Sequence, residues 1–102
     1  MMAINKLRAI HPGEILREEF LVPLALTSHK LAMSLHVPAT RINDVVREKR
    51  GITTDTAIRL ARFFGTSAEF WLGLQSSYDL KMADEQGVGQ KIAREVSPLM
   101  AA

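Results

Sequence analysis

The sequence has no cysteine and no long apolar run, and these absences exclude several classes of protein. A disulfide framework and a thiolate metal site both require cysteine, so neither can form in this chain. No apolar stretch approaches the roughly 18 residues that a membrane-spanning helix needs. The N-terminal residues are also too polar for the hydrophobic core of a secretory signal. We therefore expect a cytoplasmic protein with no membrane partner.

Residues that carry catalysis or bind metals are scarce as well. His11, His29 and His36 are the only histidines, and their spacing matches no zinc motif. No glycine-rich phosphate loop, Ser/His/Asp arrangement or close pair of inward carboxylates stands out. We predict that the protein is not an enzyme, has no catalytic residue, metal site or cofactor, and uses its histidines as helix caps or surface residues.

The chain is short, and its positive charge is concentrated in the middle. With 102 residues, 47% of them hydrophobic, it can bury one core and fits a single small domain. The net charge is only +2, but residues 30–62 contain seven basic and three acidic side chains. A local excess of this kind suits contacts with phosphates, although a solvated surface is the alternative.

Residues 27–47 carry the most informative pattern, because their apolar spacing changes direction once. Two stripes of helical spacing flank a corner: Leu31, Ala32 and Leu35 precede it, and Ile42, Val45 and Val46 follow it. Pro38 disfavours helix at the residue before it and suits the first turn of the next helix. We predict that one helix ends near His36, that Val37 plugs the corner, and that the next runs from Pro38 to about Glu48. This arrangement is a helix-turn-helix.

The rest of the chain also has helical spacing and no strand pattern, which predicts an all-α fold. A first helix begins at Pro12 and ends at Pro23, and the helix-turn-helix follows with Thr27 as a cap. A fourth helix begins at Thr53 or Thr54 and ends at Gly65, and a fifth begins with a capping box at residues 66–69. We expect a mobile arm at residues 1–10, a five-helix domain at 11–80, and an extension at 81–102 with a short helix at 90–96.

The second helix of the motif presents a polar face away from its apolar stripe. At 100° per residue Thr40, Asp44 and Arg47 face outward, with Arg41 and Asn43 on the flanks. The early residues of this helix should approach base edges in the major groove, and the expected base-facing set is Ala39, Thr40, Arg41, Asn43 and Asp44. Asn43 suits adenine and Arg41 suits guanine, whereas Asp44 could accept only from a cytosine amino group. Asp44 is therefore either a selectivity element or an internal partner of Arg41, Arg47 or Lys30. The alternative is that this polar face of the helix is simply exposed to solvent and contacts no DNA.

Five further residues are better placed for the DNA backbone. One is a serine at the start of a helix and the other four are basic: Ser28, Lys30, Arg47, Lys49 and Arg50. Ser28 could offer both its hydroxyl and its backbone N–H to a phosphate.

The motifs together resemble a known family. The helix-turn-helix is similar to the XRE or Cro/C1 type, and HPGEIL at residues 11–16, DTAIRLA at 55–61 and FGTSAEFWL at 64–72 resemble the HigA (VapI-type) antitoxins. The resemblance implies a compact, lambda repressor-like five-helix domain. It also implies a dimer that represses transcription from an operator at its own promoter, paired with a HigB-type toxin that cleaves messenger RNA. Where family members often have glycine, this chain has His36 at the corner and Glu48 after the second helix of the motif.

The fifth helix and the extension should supply the dimer or partner contact. An arc of apolar residues on this helix is expected to be core: Phe70, Trp71, Leu74 and Tyr78. The apolar residues left for a second subunit or a partner are Leu72, Ile92 and Val96. Two alternatives remain open, a protein-binding module of the same fold without DNA binding, favoured by Asp44 and Glu48, and a solitary XRE-type regulator with no toxin.

Overall fold

The computed structural model describes residues 8–100 and contains six helices over that range. Helix α1 begins at Pro12–Ile15 and continues as a π-helix over Leu16–Leu21. The others are α2 (Ser28–Leu35), α3 (Ala39–Val46), α4 (Thr54–Phe64), α5 (Ala68–Glu85) and α6 (Val88–Glu95). No strand occurs among the described residues, so the all-α prediction is confirmed. The first five helices are those predicted, but α5 continues past residue 80 to Glu85. Helix α6 is the short helix predicted in the extension, and it begins at Val88 rather than at residue 90.

Most of the predicted arm lies outside the described residues, but its last three residues pack against the domain. Arg8 donates to both carboxylate oxygens of Glu14 at 2.8 Å, and this lowers the pKa of Glu14. Ala9 and Ile10 are half-buried. Residues 8–10 therefore belong structurally to the start of α1.

Local capping signals set most helix ends. The Thr27 and Thr53 hydroxyls accept from the backbone N–H groups three residues later, as predicted, and Gly65 ends α4 in a left-handed conformation. The predicted capping box at Thr66 is wrong, because Ser67 caps α5 instead. The Thr66 hydroxyl is engaged elsewhere: it accepts from Nε1 of the buried Trp71 at 2.8 Å.

The corner between α2 and α3 lies where the sequence predicts it. His36 ends α2 in the left-handed region, with φ 59° and ψ 46°. Pro38 is extended, with ψ 144°, and is therefore the N-cap of α3 rather than its first residue. Helix α3 ends at Val46, earlier than predicted, because Glu48 is also left-handed, with φ 63°. His36 and Glu48, which stand where family members often have glycine, therefore both adopt the left-handed conformation that glycine adopts most readily.

One hydrophobic core holds α1 to α5 together. Both predicted stripes of the helix-turn-helix face it, and its fully buried side chains include Leu16, Leu31, Ile42, Val45, Leu60 and Trp71. Rings of Phe20, Phe64 and Trp71 pack beside one another. Phe70, predicted as core, is 40% exposed and touches only the edge of the aromatic cluster. No helix in the described range is long and apolar enough to cross a membrane.

Candidate nucleic-acid interface

Burial of one face of α3 fixes which side chains point outward. Ile42 and Val45 have no exposed surface, whereas Thr40 on the opposite face is exposed and Asn43 and Asp44 are half-exposed. Ala39 packs against the core, because it lies only about 60° from Ile42 on the helix. Ala39 therefore has less free surface than Thr40, and its contact with a base edge stays a prediction.

Arg41 is held beside α4 instead of standing free. Its Nη1 donates to Asp55 at 2.5 Å, and Asp55 also accepts from Nε of Arg59 at 2.8 Å. Hydrogen bonds from Arg59 and then from Arg41 lower the pKa of Asp55. Arg59 in turn donates to the Leu35 carbonyl at the end of α2, at 2.8 Å. This network ties α2, α3 and α4 together, and Arg41 must leave Asp55 or share it to reach a guanine.

The two acidic residues that disfavour DNA binding each have a cationic partner. Asp44 pairs with Arg50 at 3.4 Å, so the predicted partners Arg41, Arg47 and Lys30 are wrong. The left-handed residue Glu48 folds the chain back over α3, where the Lys49 N–H donates to the Asp44 carbonyl, and this return brings Arg50 near Asp44.

Glu48 pairs with Arg17 of α1, a cation that it shares with Glu18. Its carboxylate accepts from Arg17 at 3.3 Å, and another nitrogen of Arg17 donates to the Val46 carbonyl at 2.6 Å. Arg17 therefore satisfies a carbonyl at the end of α3 and offsets an acidic side chain near the DNA-facing surface. Each of the two acidic residues therefore has a cationic partner at the surface of the domain.

The predicted phosphate contacts surround this face. Lys30, Arg47 and Lys49 are exposed, and none of them is in an ion pair with a residue of the described range. Arg50 is shared with Asp44. The Ser28 hydroxyl is also engaged, because it donates to Oδ1 of Asn43 at 2.5 Å.

Gln75 is a positioning residue that sequence reasoning missed. Its Oε1 accepts from the Ile52 N–H at 2.6 Å, and its amide packs where a side chain on Gly51 would lie. The loop that carries Lys49 and Arg50 is thereby fastened to α5. No sequence signal links positions 23 residues apart, so this contact required the structure.

The three residues predicted to contact a partner differ in how much of their surface is exposed. Leu72 is half-buried and packs against the core, so most of its surface is already used. Ile92 and Val96 are 48% and 61% exposed, and α6 has no buried residue. Within residues 8–100, no group of three or more acidic or histidine side chains is arranged to hold a metal ion.

The corner, the buried stripes and the outward polar face of α3 define a helix-turn-helix protein. The helix-turn-helix family model HTH_3 matches residues 16–71. Virulence-associated protein I of Dichelobacter nodosus is 60% identical over 81 residues, which are 79% of this chain and 75% of the relative. Antitoxin HigA-1 of Vibrio cholerae is 35% identical over 98 residues, covering 96% of this chain and 90% of the relative.

A solved structure with the same fold is the Pseudomonas aeruginosa antitoxin HigA with the higBA promoter. It is 52% identical, has a TM-score of 0.85, and is matched over 91% of this chain and 100% of its own. The chain belongs to the HigA (VapI-type) antitoxin family of helix-turn-helix proteins, as its motifs indicate. This is not an enzyme family.

Proposed function

We propose that the protein is a sequence-specific DNA-binding repressor that binds, as a dimer, an operator at its own promoter. As a HigA-type antitoxin, it would pair with a HigB-type toxin and regulate the expression of both. Such a protein works in the cytoplasm and needs neither a cofactor nor a catalytic residue.

The observation that carries this proposal is the outward face of α3. Thr40 is exposed and Asn43 half-exposed on a helix whose other face is buried. The cations Lys30, Arg47 and Lys49 surround them and form no ion pair with a residue of 8–100. Side chains of this kind contact base edges, and cations around them contact phosphates. The similar Pseudomonas aeruginosa antitoxin HigA was solved with the higBA promoter, which supports DNA binding by this chain.

Titration of labelled DNA separates the two kinds of contact. The full chain is titrated against DNA from immediately upstream of its own gene and against a shuffled fragment, at several salt concentrations. We expect Arg47→Ala to weaken binding to both fragments and to reduce the salt slope by about 1, because one phosphate contact is lost. Asn43→Ala should cost about 1–3 kcal/mol on the promoter fragment and little on the shuffled one.

Arg62→Ala serves as the charge-matched control, because Arg62 lines the cavity beside Ser34 and His36, at the far end of α2 from Ser28. It should leave both affinities unchanged. Equal losses for Arg47→Ala and Asn43→Ala on both fragments would contradict the assigned face. No preference of the wild type for its promoter would favour the protein-binding alternative, and an adjacent toxin gene would separate the antitoxin from a solitary regulator.

A further inference from the structure

A side-chain hydrogen bond joins the two helices of the motif on their outer side. Ser28 is the first residue of α2 and Asn43 lies in the middle of α3, and the Ser28 hydroxyl donates to Oδ1 of Asn43 at 2.5 Å. Both residues are half-buried. Thr27, not Ser28, caps α2, so the Ser28 hydroxyl is not needed to begin the helix.

This bond determines how the amide of Asn43 is presented. The terminal torsion of asparagine is broad, so a free amide can exchange the places of its oxygen and its NH2 group. Here the Ser28 hydroxyl donates to Oδ1, so the amide is held with its oxygen towards Ser28. The oxygen keeps a second lone pair and the NH2 group keeps its donors, so the amide can still accept from the N6 amino group of adenine and donate to its N7.

The same bond limits what Ser28 can do for a phosphate. A serine hydroxyl has one proton, and phosphate oxygens are acceptors. While that proton is on Asn43, the side chain cannot also donate to a phosphate, and only the backbone N–H groups at the start of α2 remain for that contact. The predicted phosphate role of the Ser28 side chain therefore gives way to another role.

We propose that Ser28 is a positioning residue that orients the Asn43 amide and so sets the preference for adenine at one operator position. This inference rests on the proposed DNA binding.

A double-mutant cycle tests it. Wild type, Ser28→Ala, Asn43→Ala and the double variant are titrated against the promoter fragment, against a series in which each base pair is replaced, and against shuffled DNA. We expect Asn43→Ala to lose roughly tenfold or more of the discrimination at one base pair. Ser28→Ala should lose severalfold at that same base pair, with unchanged salt slope and unchanged binding to shuffled DNA, and should add nothing to Asn43→Ala.

Two further variants keep the result specific. Ser28→Thr retains the hydroxyl and should restore the discrimination, which a purely structural role would not predict. Ser34→Ala makes the same chemical change on an exposed serine of α2 and should have no effect. Thermal unfolding of each variant establishes that all of them are folded under the conditions of the titration.

Other outcomes overturn the inference. A lower salt slope and an equal loss on shuffled DNA for Ser28→Ala would make Ser28 a phosphate contact. Additive losses in the cycle would make the two residues independent. If the wild type binds the promoter fragment more tightly than shuffled DNA, these results reject only the role of Ser28. If the wild type binds both equally, the proposed function fails and this inference fails with it.

Discussion

At the scale of single residues, Gly13 determines how closely α1 approaches α3. A Cβ atom built on Gly13 would lie 1.8 Å from the Val45 carbonyl oxygen, far inside van der Waals contact with backbone that cannot rotate away. We expect Gly13→Ala to lower the free energy of unfolding by about 1–3 kcal/mol or more, because the two helices must separate. Denaturant unfolding measures the change.

Gly73 provides the matched control for that substitution. It lies inside α5, and a Cβ there meets nothing within 4 Å. Gly73→Ala should therefore stabilise the protein by about 0.4–1 kcal/mol, since alanine is the better helix residue. Equal effects of the two substitutions would show that the close approach of α1 to α3 does not matter for stability.

A second residue-scale prediction concerns pH. His11 is 4% exposed, its Nδ1 accepts from the Gly13 N–H at 2.8 Å, and its ring packs against Tyr78. Burial lowers the pKa of His11 below its ordinary value of 6.5, and outweighs the opposite pull of Glu48 and Asp79. The unfolded chain therefore binds this proton more readily. Its contribution to stability is complete above about pH 6.5 and is lost as the pH falls towards the folded pKa.

The substitution His11→Asn isolates this effect. Asparagine can cap α1 without titrating, at a cost of about 0.5–1.5 kcal/mol for the lost ring contact. We expect the wild type to lose stability between pH 7 and pH 5 faster than His11→Asn does, with unfolding free energies measured at each pH. An acid dependence unchanged in His11→Asn would refute the role of His11.

Residue roles that depend on neighbours along the chain were predictable, whereas those that depend on distant ones were not. The Thr27 cap is a local signal and is where the sequence places it. Arg17 contacts Glu48 across 31 positions, and Arg59 contacts the Leu35 carbonyl across 24. No periodicity encodes such pairs, and the contact of Arg41 with Asp55, 14 positions away, is missed for the same reason. Asp44 pairs with Arg50, only six positions away, because the left-handed Glu48 turns the chain back after α3.

At the scale of elements, the corner between α2 and α3 is built on a residue other than glycine. An L-residue pays about 1–2 kcal/mol for the left-handed conformation, and histidine tolerates it better than branched residues do. We expect His36→Gly to raise the unfolding free energy by about 0.5–1 kcal/mol and His36→Val to lower it. Both are measured by denaturant unfolding, and a destabilising His36→Gly would mean that the His36 side chain is important at the corner.

The corner also shows why the sequence predicts the existence and the buried face of a helix better than its first and last residues. The two stripes of apolar residues fix which faces of α2 and α3 are buried, and they follow from helical period alone. The first and last residues of a helix depend on which of several nearby hydrogen bonds each polar side chain makes. Thr66 illustrates this, because the buried indole of Trp71 takes the hydroxyl that the sequence assigns to a cap.

At the scale of the whole molecule, the C-terminal part leaves a row of apolar side chains uncovered. Val88, Ile92 and Val96 follow one another at four-residue spacing on and just after α6, and all three are exposed. Operator recognition by a helix-turn-helix uses two copies about 34 Å apart, so a second subunit is the partner that this row suits. The dimer contact at Ile92 and Val96 stays a prediction; both side chains are exposed, whereas Leu72 is largely used by the core.

We expect Ile92→Glu to convert the dimer to a monomer, because it places a charge in the middle of this apolar row. Light scattering at micromolar concentration measures the mass, and titration compares an operator of two half-sites with a single half-site. The variant should bind the complete operator at least tenfold more weakly and the half-site as the wild type does, since α3 is untouched. Gln90→Glu adds the same charge to the same helix and should remain dimeric; a monomeric wild type would reject this interface.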